Sequence, residues 1–261
     1  MAVNQLSGKT FLLVTGASQG IGRQIAQTFG SFLGNDSHVV LFARNVDGLK
    51  ETASKLPSHV KSNCYSVDMS TATSEQFEGL IRESLKNAGP TPFERAVVVH
   101  NAASLGDLKR TIGLTDCEEW QKYYHLNVIS AAVLNGVFMK IFNDEHKAKI
   151  LVINITSLCG IQPMQTMAYY CTGKAAREMF FKVFALEHAD INVLNYSPGP
   201  VRTEMFHKVW NSAEGDVKES LIGTKETMTV LTTEQTAYRL IEILKLQKYK
   251  SGDHVDYFDE L

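Results

Sequence analysis

Charge of one sign is never in surplus here: 26 Lys and Arg stand against 28 Asp and Glu, a net charge of −2 over 261 residues. No basic run forms either, since the densest stretch, Lys245 to Lys250, reads as a helix exit. An electrostatic partnership with nucleic acid or an anionic membrane is therefore not expected. No window approaches the roughly 18 consecutive apolar residues of a membrane helix. Met1 to Phe11 lacks the basic-then-apolar pattern of a signal peptide. The four cysteines, Cys64, Cys117, Cys159 and Cys171, are too scattered for a metal knuckle. They read as small buried residues in a reducing compartment, which points to the cytoplasm. No metal site is expected. Linkers rich in Pro, Gly or Ser are missing, as are internal repeats, so residues 1–261 read as a single domain.

Apolar residues make up 44% and charged residues 21%, enough for a sizeable core. Short apolar runs alternate with amphipathic stretches. Candidate strands are Thr10–Thr15, His38–Phe42, Ser62–Val67, Arg95–His100, Ile150–Ile155, Ile191–Ser197 and His254–Phe258. Several are nearly continuous Val, Ile and Leu, as strands buried on both faces require. Helical patterns cover Gly20–Leu33, Val46–Leu56, Ser74–Asn87, Glu118–Ile141, Met167–His188 and Thr233–Leu246. The alternation predicts an α/β, doubly wound, Rossmann-type parallel sheet of about seven strands with helices on both faces. Residues 202–231 break the pattern, mixing Met205, Phe206 and Trp210 with polar residues. They read either as an irregular surface helix or as a substrate lid.

Directly after the first strand stands Thr15-Gly16-Ala17-Ser18-Gln19-Gly20-Ile21-Gly22, at the start of a helix. Gly16 permits a tight turn, while Gly20 and Gly22 allow close approach of phosphate and helix. The helix N-terminus, with Ser18, Gln19 and Ile21 around it, offers free N–H groups to a pyrophosphate. A glycine trio alone is a weak signal, and its position between strand and helix is what strengthens it. The second strand ends in Arg44-Asn45, with no carboxylate before Asp47. An acidic residue there would hold the ribose hydroxyl of NAD, whereas Arg44 can pair with the 2′-phosphate of NADP. Asp68 is placed to accept from adenine or, more plainly, to cap the following helix. Asn101 lies along the same edge.

Tyr170 and Lys174 sit four apart on one predicted helix face. A free phenol titrates near 10, and a neighbouring ammonium would lower it, making a proton donor for a carbonyl oxygen. The spacing alone proves little. Thirteen residues earlier, Ser157 ends the fifth strand, where its hydroxyl can meet a substrate oxygen. Asn127 falls inside a predicted helix, either as a locally bonded amide or as a polar bridge to water near Lys174. Pro198-Gly199-Pro200-Val201-Arg202-Thr203 follows the sixth strand and would pass the nicotinamide carboxamide, with Val201 and Thr203 in contact. As a bare turn it needs no function.

Taken together, these residues resemble the short-chain dehydrogenase/reductase family over essentially the whole chain. The glycine motif matches Gly16, Gly20 and Gly22. The catalytic tetrad matches Asn127, Ser157, Tyr170 and Lys174, and the PG motif matches Pro198 and Gly199. His100-Asn101-Ala102-Ala103 departs from the family's usual Asn-Asn-Ala-Gly but keeps Asn101. Ser104–Asp107, Asn154–Gln162, Tyr170–Arg177, Leu194–Pro200 and Ser251–Asp259 are similar to pterin-reducing members. That resemblance implies NADP(H), a pterin substrate in tetrahydrobiopterin synthesis and a homodimer formed through the helices carrying Asn127 and Tyr170. It also implies a pterin-anchoring carboxylate at Asp256, with Leu158 and Gly199 lining the pocket. A carboxylate can accept in pairs from the adjacent N–H donors of a pterin edge, although Asp256 can also be a polar strand end. A general carbonyl reductase and a non-catalytic NADP-sensing module remain alternatives.

Overall fold

The computed structural model describes residues 5–212 and 229–260. Seven strands form one sheet: β1 (Thr10–Thr15), β2 (His38–Ala43), β3 (Lys61–Ser66), β4 (Arg95–His100), β5 (Lys149–Ile155), β6 (Asn192–Ser197) and β7 (His254–Asp256). The order is β3-β2-β1-β4-β5-β6-β7 and every pairing is parallel. The doubly wound expectation is met. The chain reverses its direction of winding between β1 and β4, which opens a crevice at their carboxyl ends.

The described α-helices are α1 (Gly20–Gly30), α2 (Val46–Ser54), α3 (Ser74–Ala88), α4 (Cys117–Tyr124), α5 (Ser130–Met139), α6 (Ala168–Glu187), α7 (Glu204–Ser212) and α8 (Thr233–Leu246). Strand side chains alternate between faces. Leu12 and Val14 join α1 and α8 in one core, while Phe11 and Leu13 join α3, α5 and α6 in the other. Phe11 meets Phe93 edge-on, with centroids 5.4 Å apart, and lies 4.7 Å from Phe142.

Three local departures from the predicted elements have physical causes. The strand expected over 254–258 stops at Asp256, because Asp256 Oδ1 accepts from the Phe258 N–H and turns the chain. The helix expected over 118–141 is interrupted by π-helical turns at His125–Ile129 and Lys140–Glu145. Of the cysteines expected to be buried, only Cys159 is; Cys117 is exposed, and Cys64 and Cys171 are intermediate. Cys117–Glu145 is long and apolar enough to cross a bilayer by composition, but 56% of its apolar window is buried inside the protein. Residues 213–228 of the expected lid lie outside the described residues. At its base Val201 bridges Leu231.

The last strand is fastened to α6 through Glu178, which is 2% exposed. Its carboxylate accepts from His254 Nδ1 at 2.9 Å, Thr156 Oγ1 at 2.8 Å and Lys182 Nζ at 2.7 Å. Burial alone would push this carboxyl up. The hydrogen bonds from His254, Lys182 and Thr156 outweigh it and hold the group at about 2 rather than 4.5. A depressed folded value stabilises the protein above the unfolded pKa, and that stability is lost as pH falls through the folded one. Chemical denaturation should therefore show stability falling from about pH 4.5 towards pH 2. Glu178→Gln should lose about 2 kcal/mol at pH 7, the order of its charged hydrogen bonds, and show a flatter acid limb. An unchanged acid limb in the variant would rule out this account.

Candidate active site

The glycine loop leaves β1 with Gly16 at φ +65 and Gly20 at φ +57, a left-handed backbone that side chains disfavour. Gly22 is required by contact, since a Cβ there would meet the Gly16 carbonyl and the Asn101 amide. Gln19 stands at the N-cap of α1 without a capping side-chain bond, and the first turn has no acidic residue. The helix thus presents free N–H groups and no repelling carboxylate, the chemistry that suits a phosphate. Ser18 is partly buried and its carbonyl accepts from Arg23. Ile21 packs against the core.

The residues expected around this loop divide into two kinds. Arg44 is exposed at the end of β2. Asn45 is spent on capping α2, its Oδ1 accepting from the Gly48 N–H at 3.0 Å. Asp68 accepts from the Ser70 hydroxyl and N–H at 2.7 and 2.9 Å, which holds its carboxyl below the ordinary value. The helix that follows it is capped by Thr73 instead. The Asn101 amide donates to the carbonyls of Thr15 and Gly16 at 2.9 and 3.2 Å, so this side chain braces the loop. The Thr15 hydroxyl in turn accepts from the N–H groups of Asn101 and Ala102, each at 3.0 Å.

Across the crevice, the turn after β6 leans on the same loop. Gly199 adopts φ +71, and an added Cβ would reach Leu231 at 3.1 Å and Phe258 at 3.3 Å. The Pro198 carbonyl accepts from Thr236 at 2.9 Å, and Val201 is buried. Thr203 Oγ1 accepts from the Phe206 N–H as α7 begins, and its methyl lies 3.5 Å from the position of a Gly20 Cβ. Gln19 also donates to Glu204 at 2.8 Å. Glycine motif and PG turn are therefore brought together.

The expected chemical residues stand beside β5. Ser157 leaves that strand, and its Oγ accepts from the Cys159 N–H at 3.2 Å. The Ser157 hydroxyl also lies close enough to the Tyr170 phenol to favour its ionised form. Lys174, one turn along α6, is 4% exposed. Its ammonium donates to the Ile155 carbonyl at 2.6 Å and lies 5.4 Å from the Tyr170 ring centre. Burial, joined by the nearby Arg177 cation, holds Lys174 well below its ordinary value. Burial likewise pushes the Tyr170 phenol up, and the Cys159 thiol adds to this. The Ser157 hydroxyl and the Arg177 charge pull it back. The lowering of Tyr170 by Lys174 expected from sequence is thus not seen here, because burial dominates both groups.

Asn127 occupies the π-helical turn, a distortion frequent at functional sites. Its Oδ1 accepts from the Ser104 N–H at 2.8 Å, and its Nδ2 donates to the Tyr123 carbonyl at 2.9 Å. Leu158 is exposed at the rim, next to Ser157. Asp256 is partly buried at the end of β7, paired in register with Ser197. Its Oδ2 accepts from the Ser197 hydroxyl at 2.5 Å and its Oδ1 from the Phe258 N–H at 3.0 Å. A carboxylate oxygen fixed by one bond keeps a second lone pair for a ligand.

Sequence reasoning missed the polar layer beneath this edge. Arg177 donates to Asn154 and to the carbonyls of His100 and Ala102, and Asn154 Nδ2 donates to Asn195 at 2.9 Å. The available signal was an asparagine within each of two apolar strands, where a buried amide demands a partner.

Comparison with known proteins identifies the family. Residues 10–214 match the family model described as short chain dehydrogenase. A sepiapterin reductase of Bos taurus is 33% identical over 97% of this chain and 96% of its own length. One of Xenopus tropicalis is also 33% identical, over 99% of this chain and all of its own. Among solved structures, a short chain dehydrogenase of Shigella flexneri complexed with NADP superposes with a TM-score of 0.78. It shares 23% identity and covers 98% of this chain and 99% of its own, a likeness of fold. By the family match and its full-length relatives, this chain belongs to the short chain dehydrogenase family.

Proposed function

We propose that this chain is an NADPH-dependent reductase of pterin side-chain carbonyls, such as those of sepiapterin and 6-pyruvoyl-tetrahydropterin, acting in tetrahydrobiopterin synthesis. The observation that carries the reading is a single sheet edge bearing both the Ser157–Tyr170–Lys174 group and the oriented carboxylate of Asp256. Full-length relatives that are sepiapterin reductases support the pterin.

The glycine loop and uncapped α1 would hold the pyrophosphate, with Arg44 at the 2′-phosphate and Asn45, Asp68 and Asn101 shaping the adenosine side. Pro198, Gly199, Val201 and Thr203 would border the nicotinamide. Bound NADPH supplies the hydride. Tyr170 gives its phenolic proton to the carbonyl oxygen as that oxygen becomes an alkoxide, and Ser157 orients the same oxygen. Lys174 binds the nicotinamide ribose and holds a positive charge near the phenol. Asn127 fixes the backbone at Ser104, keeping the cleft wall in place. Asp256 accepts from the pterin ring, with Leu158 and Gly199 beside it.

A general carbonyl reductase is the second reading, favoured by apolar side chains exposed around the rim at Leu158, Ile161 and Met164. A second copy of the chain is the proposed partner. Met179, Val183 and Leu186 form an exposed stripe on α6, and Ile129 is exposed beside α5, an apolar surface that a homodimer would cover. Four free thiols suit the cytoplasm.

Loss of NADPH absorbance with sepiapterin tests the assignment. Turnover is expected with NADPH and little with NADH, and Arg44→Ala should raise the KM for NADPH about tenfold, the scale of one charged hydrogen bond. Equal use of both cofactors by wild type and variant would remove Arg44 from the site. Tyr170→Phe should lower kcat about 100-fold or more while NADPH still quenches protein fluorescence; a fully active variant refutes the proton-donor role. Asp256→Ala should raise the KM for sepiapterin about tenfold or more and spare small ketones. If sepiapterin kinetics are untouched, the general reductase is the better reading.

A further inference from the structure

Tyr170, Lys174 and Arg177 lie at successive turns of one face of α6, at spacings of four and three. Arg177 is 2% exposed and is among the largest wholly buried side chains. Nε and Nη2 donate to Asn154 Oδ1 at 3.1 and 2.6 Å, Nη1 to the Ala102 carbonyl at 2.9 Å and Nη2 also to the His100 carbonyl. Every one of these acceptors is neutral. Among the described residues no carboxylate forms an ion pair with Arg177, although arginine is the side chain least able to give up its charge. Burial lowers Arg177 only to about 10, so it remains a cation at neutral pH. An unpaired buried cation is costly. Here it shares a helix face, two turns on, with the one side chain that turns negative when a carbonyl is reduced.

The acceptors also have positional meaning. His100 and Ala102 flank Asn101, which braces the glycine loop, and Asn154 lies three residues before Ser157. One planar guanidinium therefore ties the exit of β4 to the exit of β5, from the helix that carries Tyr170.

We propose that Arg177 is a positioning residue for the reduction, locking the β4 and β5 exits together and supplying the fixed positive charge that steadies the Tyr170 phenolate. This rests on the reading of Tyr170 as proton donor. In the step itself, hydride from NADPH adds to the carbonyl carbon and the phenolic proton to its oxygen, leaving alcohol, NADP+ and phenolate; one proton taken up from solvent then restores the phenol. Lys174, one turn nearer the phenol with its Nζ 5.4 Å from the ring centre, shares this role. The other groups facing Tyr170 are Ser157, Cys159, Cys171 and, from α4, Tyr123. Those facing Arg177 are Lys174, Tyr170, Tyr123 and His100. Burial holds His100 at about 3, so its ring is neutral and adds no competing cation.

The test compares Arg177→Gln, which keeps a donor without charge, with Arg177→Lys, which keeps charge with fewer donors. Both are followed by NADPH oxidation with sepiapterin from pH 7 to 12, a window that covers a phenol raised above its ordinary value, normalised to the folded fraction. In the wild type, reduction should decline as the phenol ionises at alkaline pH. With Gln, kcat should fall on the order of 100-fold and the alkaline limb should move up by about one pH unit. With Lys, the limb should stay within a few tenths of the wild-type position and kcat should recover at least tenfold relative to Gln. Should Gln fail to fold, Asn154→Asp places a carboxylate on the guanidinium and should move the limb the same way. A limb unmoved in the neutralising variant, with activity tracking folded fraction alone, overturns the proposal and leaves Arg177 a structural brace. Tyr170→Phe separates the two readings: an active Phe variant defeats the proton donor itself, whereas an inactive one with an unmoved limb defeats only Arg177.

Discussion

All seven strands run in the same direction, and the candidate site depends on that shared direction. A parallel sheet delivers every carboxyl end to one edge, so Gly16, Asn101, Ser157, Pro198 and Asp256 emerge there although they lie far apart in the chain. Crossover helices must then cover both faces. That requirement explains the Val- and Leu-rich strands, and it leaves the edge as the place where polar chemistry meets solvent. The reversal between β1 and β4 opens the crevice. Thr15 and Asn101 hold it by bonding across the two strands at the point where they part.

Beneath that edge the sheet gives up apolar packing for a buried polar layer. Asn154 and Asn195 are fully buried in adjacent strands and bonded to each other, and Arg177 reaches Asn154 from α6. Asn195 Nδ2 continues the chain of bonds to the Gly252 carbonyl at 3.0 Å, before β7 begins. Glu178, next to Arg177, turns towards Thr156 and His254 instead of pairing with it. Opposite charges one residue apart on a helix point in different directions, so each acquires its own network. The acid braces β7 to α6, while the base braces the exits of β4 and β5.

Some of the local irregularities serve that edge. Left-handed glycines at 16, 20 and 199 and the π-helical turn around Asn127 all border the crevice. Regular helix and strand leave no free backbone donors; broken geometry and an uncapped helix start supply them. Away from the site, side-chain caps close the starts of α2, α3, α4 and α8.

The periodicity of apolar residues determined the sheet, its parallel sense and the placement of each major helix, because burial on two faces admits few patterns. Residue type and local spacing likewise marked the glycine loop, Ser157, Tyr170 and Lys174, since those signals lie within a turn or at a strand end. Tertiary structure decided whatever depends on partners distant in sequence. It turned Asn101 into a brace for the glycine loop, 86 and 85 residues away, whereas the cap at Asn45 and the turn at Asp68 are local contacts. It ended β7 at Asp256 and revealed Arg177, whose acceptors lie 23, 75 and 77 residues away. It also set the direction of the titrations at Tyr170 and Lys174. A sequence can place two groups on one helix face, but the desolvation that outweighs their mutual attraction comes from everything packed around them.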